Sequence, residues 1–247
     1  MRAFLIHGLN NNHASLLDVA TIFQSMGVSP EIIPLSGHWL HQKSNLDKCN
    51  WSDWEGDFQN LAKKIQSQNE LVLLFGFSLG ALVIAKCLQE LPEIQSKIQK
   101  LIYFSPAFAR RSYTSSAGFL QQIWPNGAIP STTPKLWRQH PYCTFSAYQA
   151  LNFGYKAFHQ TLVELKTQDH ISLKNMNNIP THIVIDPRDI CVSTNMILDI
   201  KKNFYFNWHF HRFNLKMTKS FPSFHTTFDR TCFNAEEWNH LWPKILL

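Results

Sequence analysis

Short apolar runs alternate with longer stretches of helical period along most of the chain. The apolar runs predict buried strands at 3–6, 31–35, 71–75, 101–104, 182–185 and 206–215. Apolar residues at helical spacing predict helices at 15–25, 79–91, 194–202 and 235–246, and the end of a further helix at 60–66. This alternation is typical of an α/β fold, in which a mostly parallel sheet carries helices on both faces.

The alternation is interrupted between about residues 107 and 178. This stretch carries several prolines, many aromatic residues and two helical pieces, at 145–151 and 155–165, without a convincing buried strand. Because it is too long for a structureless loop, we expect a mostly helical lid inserted over the sheet. The whole chain, residues 1–247, is then one domain with a lid at about 107–178.

Composition narrows the class of protein. The chain is 45% hydrophobic and only 16% charged, and its net charge of +6 is dispersed, which argues against a nucleic-acid groove. The N-terminus lacks the features of a signal peptide, and no window resembles a transmembrane helix, although a transient contact with a lipid surface stays open. Five cysteines without a C-x-x-C pair favour a cytoplasmic location. The oligomeric state is not defined.

The sharpest motif is Gly76-Phe77-Ser78-Leu79-Gly80, a G-x-S-x-G between a predicted strand and a predicted helix. A sharp turn at this point holds the serine in a strained backbone conformation and exposes its hydroxyl above the sheet. It also places the Leu79 N–H at a helix N-terminus, where it favours a developing oxyanion. The motif therefore predicts a nucleophilic serine.

A serine nucleophile needs a base and a third group that orients the base. In this architecture the chain order is serine, acid, histidine, with the partners in loops after late strands. Asp189 and His225 occupy such positions. Asp186 competes with Asp189 for the role of acid in the same loop, but it precedes Pro187 and is interpreted as a turn former, so Asp189 is favoured. His209 and His211 alternate on one strand face, but no further ligand has suitable spacing, so no metal is expected.

The second oxyanion donor should come from the loop after the first strand. That loop reads His7-Gly8-Leu9-Asn10, in which Gly8 permits a tight backbone. We therefore expect the N–H groups of Leu9 and Leu79 to form the oxyanion hole.

Together these residues resemble the α/β-hydrolases, and within them the small bacterial carboxylesterases and monoacylglycerol lipases. The resemblance rests on His7-Gly8-Leu9, Ser36-Gly37-His38, Trp51-Ser52-Asp53-Trp54, the serine turn, Asp189 and His225. Members of that group carry an inserted lid, as expected here. The chain departs from the pattern at Asp186 and Phe224, where the family usually has glycine.

The expected reaction is acyl transfer from a carboxylic ester. Ser78 would attack the carbonyl, His225 would move the proton and Asp189 would orient His225, with no metal or organic cofactor. Short to medium acyl esters or monoacylglycerol-like esters are expected, because aromatic residues of the insertion suit an apolar acyl group. These aromatic residues are Phe108, Phe119, Trp124, Trp137, Tyr142, Phe145, Tyr148, Phe153 and Tyr155, and about half of them should pack in the core.

Other activities fit the same residues. A lysophospholipase, a thioesterase, a non-hydrolytic member of the fold and a catalytically inactive binding protein all remain open. Arg110 and Arg111 could meet a phosphate or carboxylate near the site entrance, although two arginines after a strand are more often solvated.

Overall fold

A six-stranded sheet, in which all neighbouring strands run parallel, forms the centre of the protein. The structure, a computed structural model, describes residues 1–38, 46–111, 120, 122–124, 126–131, 133–168, 171–213, 225, 233 and 235–246. The strands are β1 (Arg2–Ile6), β2 (Ser29–Ile33), β3 (Val72–Phe77), β4 (Ile98–Phe104), β5 (Ala128–Pro130), β6 (Tyr142–Thr144), β7 (Thr181–Ile185) and β8 (Trp208–Arg212). The sheet order is β2-β1-β3-β4-β7-β8, and β5 and β6 form a separate antiparallel hairpin.

Helices cover both faces of this sheet. They are α1 (Leu17–Ser25), α2 (Trp51–Gln66), α3 (Leu79–Glu90), α4 (Pro92–Gln95), α5 (Phe145–Thr167), α6 (Ile171–Asn178), α7 (Thr194–Phe204) and α8 (Ala235–Leu246). Successive strand residues point to opposite faces, so Phe4 packs with α2 and α3 while Leu5 packs with α1 and α8. The predicted α/β fold with helices on both faces is confirmed.

The bounds of individual elements differ from the predicted ones by a few residues. The strand predicted at 206–215 is limited to Trp208–Arg212, and the one predicted at 31–35 lies at Ser29–Ile33. Only the end of α2 was predicted, but the helix begins at Trp51. Its start is defined by a capping box, in which Asn50 accepts from the Asp53 N–H and Asp53 accepts from the Asn50 N–H.

The inserted region contains the β5–β6 hairpin, which was not predicted, and one long helix where two pieces were expected. Gly154, in the middle of α5, lies against the ring of Trp51, and a Cβ at this position would lie 2.1 Å from a ring carbon. The glycine thus allows α5 to pack closely while the helix continues. Helices α5 and α6 pack against α3, so they belong to the helical layer on that face.

The aromatic residues of the insertion divide between interior and surface. Phe108, Trp137 and Phe145 are buried, whereas Trp124, Tyr142 and Phe153 are each more than half exposed; Phe119 lies outside the described residues. None of the helices in the described part of the chain combines the length and apolar character needed to cross a bilayer.

Candidate active site

Ser78 occupies the sharp turn between β3 and α3, as the motif predicts. Its backbone has φ 48° and ψ −108°, and a positive φ is a backbone conformation that residues other than glycine rarely adopt. Two hydrogen bonds hold it there: the Ser78 N–H donates to Phe104 O, and the Ala107 N–H donates to Ser78 O, each at 3.0 Å. The strained turn is therefore fixed by the backbone at the end of β4.

Gly80 brings this turn against the end of β1. A Cβ on Gly80 would lie 2.3 Å from the carbonyl oxygen of Ile6, so every larger residue would push the two segments apart. The Gly80 N–H donates to the carbonyl oxygen of His7 at 3.1 Å. The loop after β1 is thereby placed beside the serine.

Ser78, His225 and Asp189 form a continuous hydrogen-bonded chain. Ser78 Oγ lies 2.9 Å from His225 Nε2, and His225 Nδ1 lies 2.9 and 3.1 Å from the two carboxylate oxygens of Asp189. Because a carboxylate only accepts, Nδ1 carries the proton, which leaves Nε2 free to accept the serine proton. The described residues thus include a nucleophile, a base and an orienting acid within hydrogen-bond distance.

The orienting carboxylate is itself held by the backbone. Asp189 is fully buried, and one of its oxygens accepts from the N–H groups of Cys191 and Val192 at 2.7 and 2.9 Å. These donors compensate for the loss of water around a buried charge. The carboxylate is therefore fixed in direction before any substrate binds.

The two candidate acids of this loop differ in their contacts. Asp186 is also fully buried, but its carboxylate accepts from the backbone N–H of Arg188 and, at 2.7 and 3.0 Å, from the Arg188 guanidinium. Asp186 therefore forms a local ion pair that shapes the loop, while Asp189 is the acid that meets His225.

Leu9 and Leu79, the expected oxyanion donors, flank the serine on two segments. Leu79 is the first residue of α3, where a backbone N–H has no partner within the helix. Leu9 follows His7, whose carbonyl contacts Gly80. Among the described residues, neither the Leu9 N–H nor the Leu79 N–H donates a hydrogen bond.

Hydrogen bonds connect the loop that carries Leu9 to two other segments, and the sequence did not predict these contacts. The Asn10 N–H donates to Nε2 of His38 at 3.0 Å. The Asn10 side chain forms two hydrogen bonds with the backbone of His140, each 2.9 Å long, and the Gln139 N–H donates to Asn10 O. The only signal in the sequence was the Ser36-Gly37-His38 segment of the family resemblance.

His7 and His38 are held in their neutral forms. Leu35 N–H donates to His7 Nε2, and His7 Nδ1 donates to Gly8 O at 2.9 Å, so each ring nitrogen has a defined role. Burial lowers the pKa of His7 to about 4. Burial, and then the neighbouring His7, hold the pKa of His38 well below its usual value. Neutral rings are required here, because an Nε2 that accepts a backbone N–H cannot carry a proton.

Two clusters have the residue types of a metal site. Asp189, Cys191 and His225 place one donor atom each within 4.8 Å of one another. Burial raises the pKa of the Cys191 thiol to about 12, and the Asp189 carboxylate is already bound by N–H groups, so the set fits a hydrogen-bonded triad better than metal ligands.

The second cluster lies on the sheet face of β7 and β8. His182, whose Nδ1 is 2.8 Å from His211 Nε2, stacks on His209 and His211. The sequence had not placed His182 beside the other two, because the pairing of β7 with β8 creates the cluster. The rings stack face to face, and among the described residues these three do not form a group whose donor atoms converge on one point.

Comparisons with known proteins agree with this geometry. Residues 2–184 of the 247 match the family described as Serine aminopeptidase, S33. No curated relative matches the chain in sequence.

Solved structures are similar across almost the whole chain. A structure of the metagenome-derived lipolytic enzymes LipS and LipT superposes with a TM-score of 0.73 at 15% identity, over 99% of this chain and 92% of that one. A soluble variant of monoglyceride lipase from Saccharomyces cerevisiae superposes with a TM-score of 0.69 at 10% identity, over 98% of this chain and 84% of that one. Monoacylglycerol lipase from Paleococcus ferrophilus superposes with a TM-score of 0.64 at 14% identity, over 99% of this chain and 93% of that one. The expected α/β-hydrolase fold is confirmed.

Proposed function

We propose that this chain, which belongs to the S33 serine aminopeptidase family of α/β-hydrolases, hydrolyses carboxylic esters through Ser78, His225 and Asp189. The observation that carries the proposal is the chain of hydrogen bonds from Ser78 Oγ through His225 to the buried Asp189 carboxylate. Such a chain lowers the cost of removing the serine proton during attack.

The reaction proceeds in two steps. Ser78 Oγ attacks the ester carbonyl while His225 Nε2 accepts its proton, and His225 then gives this proton to the leaving alcohol. Asp189 stabilises the imidazolium through Nδ1. Water, activated by the same histidine, then attacks the acyl-enzyme and releases the acid. The N–H groups of Leu9 and Leu79 stabilise the oxyanion in both steps, and each such donor contributes about 10²- to 10³-fold in rate in comparable sites.

The preferred ester carries a short or medium apolar acyl group, or resembles a monoacylglycerol. The structural neighbours include lipolytic enzymes and monoacylglycerol lipases, and this similarity supports the proposed class of substrate. We further propose that the insertion at about residues 107–178 acts as a lid. A cytoplasmic location remains a prediction from the cysteine pattern.

Covalent labelling combined with turnover tests this proposal. Wild type and Ser78→Ala are treated with a fluorophosphonate probe and assayed on p-nitrophenyl esters of increasing acyl length, with matched thioesters and an aminoacyl p-nitroanilide in parallel. The expected result is labelling and ester turnover in wild type, and loss of both in Ser78→Ala. Preferential cleavage of the anilide would instead assign a peptidase, and preferential cleavage of thioesters would assign a thioesterase. An unlabelled and inactive wild type would overturn the proposal.

A further inference from the structure

Arg110, in the segment that follows β4, is buried and forms no ion pair with an acid among the described residues. Only 6% of its surface is exposed. Its Nη2 donates to Asn152 Oδ1 at 2.7 Å, and its guanidinium carbon lies 4.4 Å from the centre of the Tyr155 ring. Its other two nitrogens, Nε and Nη1, are buried and have no hydrogen-bond partner in the part of the chain that the structure describes. The expectation that this arginine is solvated is therefore wrong.

Among the described residues, the surroundings of Arg110 supply no negative charge. The groups that act on it electrostatically are Tyr155 and Cys191. Burial raises the pKa of both, that of Cys191 to about 12, so both are neutral near pH 7. Arg110 itself stays protonated, because burial lowers its pKa only to about 10. A buried charge with unsatisfied donors is costly unless an anion completes it.

The backbone segment that carries Arg110 lies beside the segments that carry Ser78 and Asp189. Its segment runs antiparallel to the one after Asp189: Ser193 N–H donates to Ala109 O at 2.7 Å, and Arg111 N–H donates to Cys191 O at 2.9 Å. Cys191 is one of the residues whose N–H holds the Asp189 carboxylate. Three residues before Arg110, the Ala107 N–H donates to Ser78 O. The backbone of Arg110 is thus held beside the serine turn and the loop of the orienting acid.

We propose that Arg110 binds an anionic group of the substrate, a carboxylate or a phosphate, so that the preferred ester carries an acid group as well as the scissile bond. This inference rests on the proposed ester hydrolysis and specifies its substrate class. The fork of N–H donors on a guanidinium matches the oxygens of a carboxylate or a phosphate. Asn152 and Tyr155 hold the side chain in place but leave its Nε and Nη1 donors for the ligand.

Matched ester pairs test the proposal. Mono-p-nitrophenyl adipate and p-nitrophenyl hexanoate have acyl chains of the same length and differ in one carboxylate; a monoacylglycerol and its glycerol phosphate counterpart differ in one phosphate. Arg110→Met removes the positive charge. Arg110→Lys keeps the charge but lacks the planar set of N–H donors of the guanidinium. Arg2→Met is the matched control, because Arg2 begins β1 at the opposite end of the sheet from the serine. Unfolding midpoints of all variants verify that they fold.

The expected result is that Arg110→Met lowers kcat/KM for the preferred acid ester by about 10- to 100-fold and leaves the neutral partner within about 3-fold. The kcat/KM of Arg110→Lys for the acid ester should lie between those of wild type and Arg110→Met, and the kcat/KM of Arg2→Met should equal that of wild type. Whichever pair shows the preference identifies the anion as carboxylate or phosphate. If wild type hydrolyses the neutral esters but Arg110→Met does not change the ratio in either pair, the inference fails while the proposed function stands.

Binding separates the two proposals if hydrolysis is absent. Adipate and inorganic phosphate are titrated calorimetrically into Ser78→Ala and into the Ser78→Ala, Arg110→Met double variant. Binding by the first protein and its loss in the second supports Arg110 as an anion site even when no ester is cleaved, whereas equal or absent binding in both overturns it.

Discussion

The Asn10 backbone N–H donates to Nε2 of His38 at 3.0 Å, across 28 positions of sequence. His38 Nδ1 is directed at Ser36 O at 3.1 Å, and Ser36 in turn donates to the Asp57 carboxylate from both its N–H and its hydroxyl. The loop that carries the proposed oxyanion donor Leu9 is therefore braced by a chain of polar groups that reaches α2.

His38→Leu should lower kcat by about 10-fold with little change in KM, since an unsatisfied N–H costs about 1–3 kcal/mol and loosens the Leu9 loop. His38→Gln keeps an acceptor and should recover part of the loss. Steady-state kinetics on a p-nitrophenyl ester, with unfolding midpoints measured in parallel, provide the test. A His38→Leu protein that is less stable but has the wild-type kcat would show that the brace serves stability alone.

Stability should fall as the pH drops below 6.5. The folded pKa of His7, about 4, lies below its unfolded value, so between these two pH values the unfolded state binds a proton that the folded state does not. The stability that neutral His7 provides is complete above pH 6.5 and is lost by about pH 4, a change of about 3 kcal/mol.

Urea unfolding at about pH 7.5 and about pH 5 measures this loss, and His7→Gln, which cannot be protonated, should reduce it by about 2 kcal/mol. His240→Gln, at an exposed position on α8, is the matched control. An equal pH dependence in wild type and His7→Gln would mean that His7 does not contribute.

The two aspartates of one loop should respond differently to the same substitution. Asp189→Asn removes the acceptor that fixes the His225 tautomer and should lower kcat by about 10³- to 10⁴-fold, the scale seen for such a change in serine proteases. Asp186→Asn weakens the contact with Arg188 and should lower the free energy of unfolding, with kcat of the folded protein retained within a few-fold. Comparable losses of kcat in both variants would contradict these assignments.

Gly154→Ala should destabilise the protein by about 1–3 kcal/mol, because the added carbon overlaps the Trp51 ring. Gly56→Ala, in the middle of α2 with open space around it, should instead stabilise by about 0.5–1 kcal/mol. Equilibrium unfolding of both variants gives the comparison. Stabilisation by both alanines would show that α5 and Trp51 are not in close contact.

The sequence predicted well the features that depend on local patterns. The parallel strands were visible because a strand buried on both faces, such as Val72–Phe77, is a continuous apolar run. The serine turn was visible because its glycines and flanking elements are adjacent in the chain. The sequence favours Asp189 over Asp186 because Asp186 precedes Pro187, which is typical of a turn, and Asp189 is the residue that contacts His225.

Features that depend on distant contacts were not predictable. A single helix over 145–167 looked like two pieces because Gly154 lowers helix propensity, and only the close approach of Trp51 explains the residue. The role of His38 requires a partner 28 positions away. Arg110 looked solvated because its neighbours Asn152 and Tyr155 come from a helix more than 40 positions later.

The Leu9 loop is bound to residues 137–140, on the segment before β6. Asn10 and Asn12 form hydrogen bonds with the backbone of this stretch through their side chains and main chains. The position of the proposed oxyanion donor therefore depends on the inserted region as well as on the end of β1. A displacement of residues 137–140 would break these hydrogen bonds and remove contacts that position the Leu9 amide.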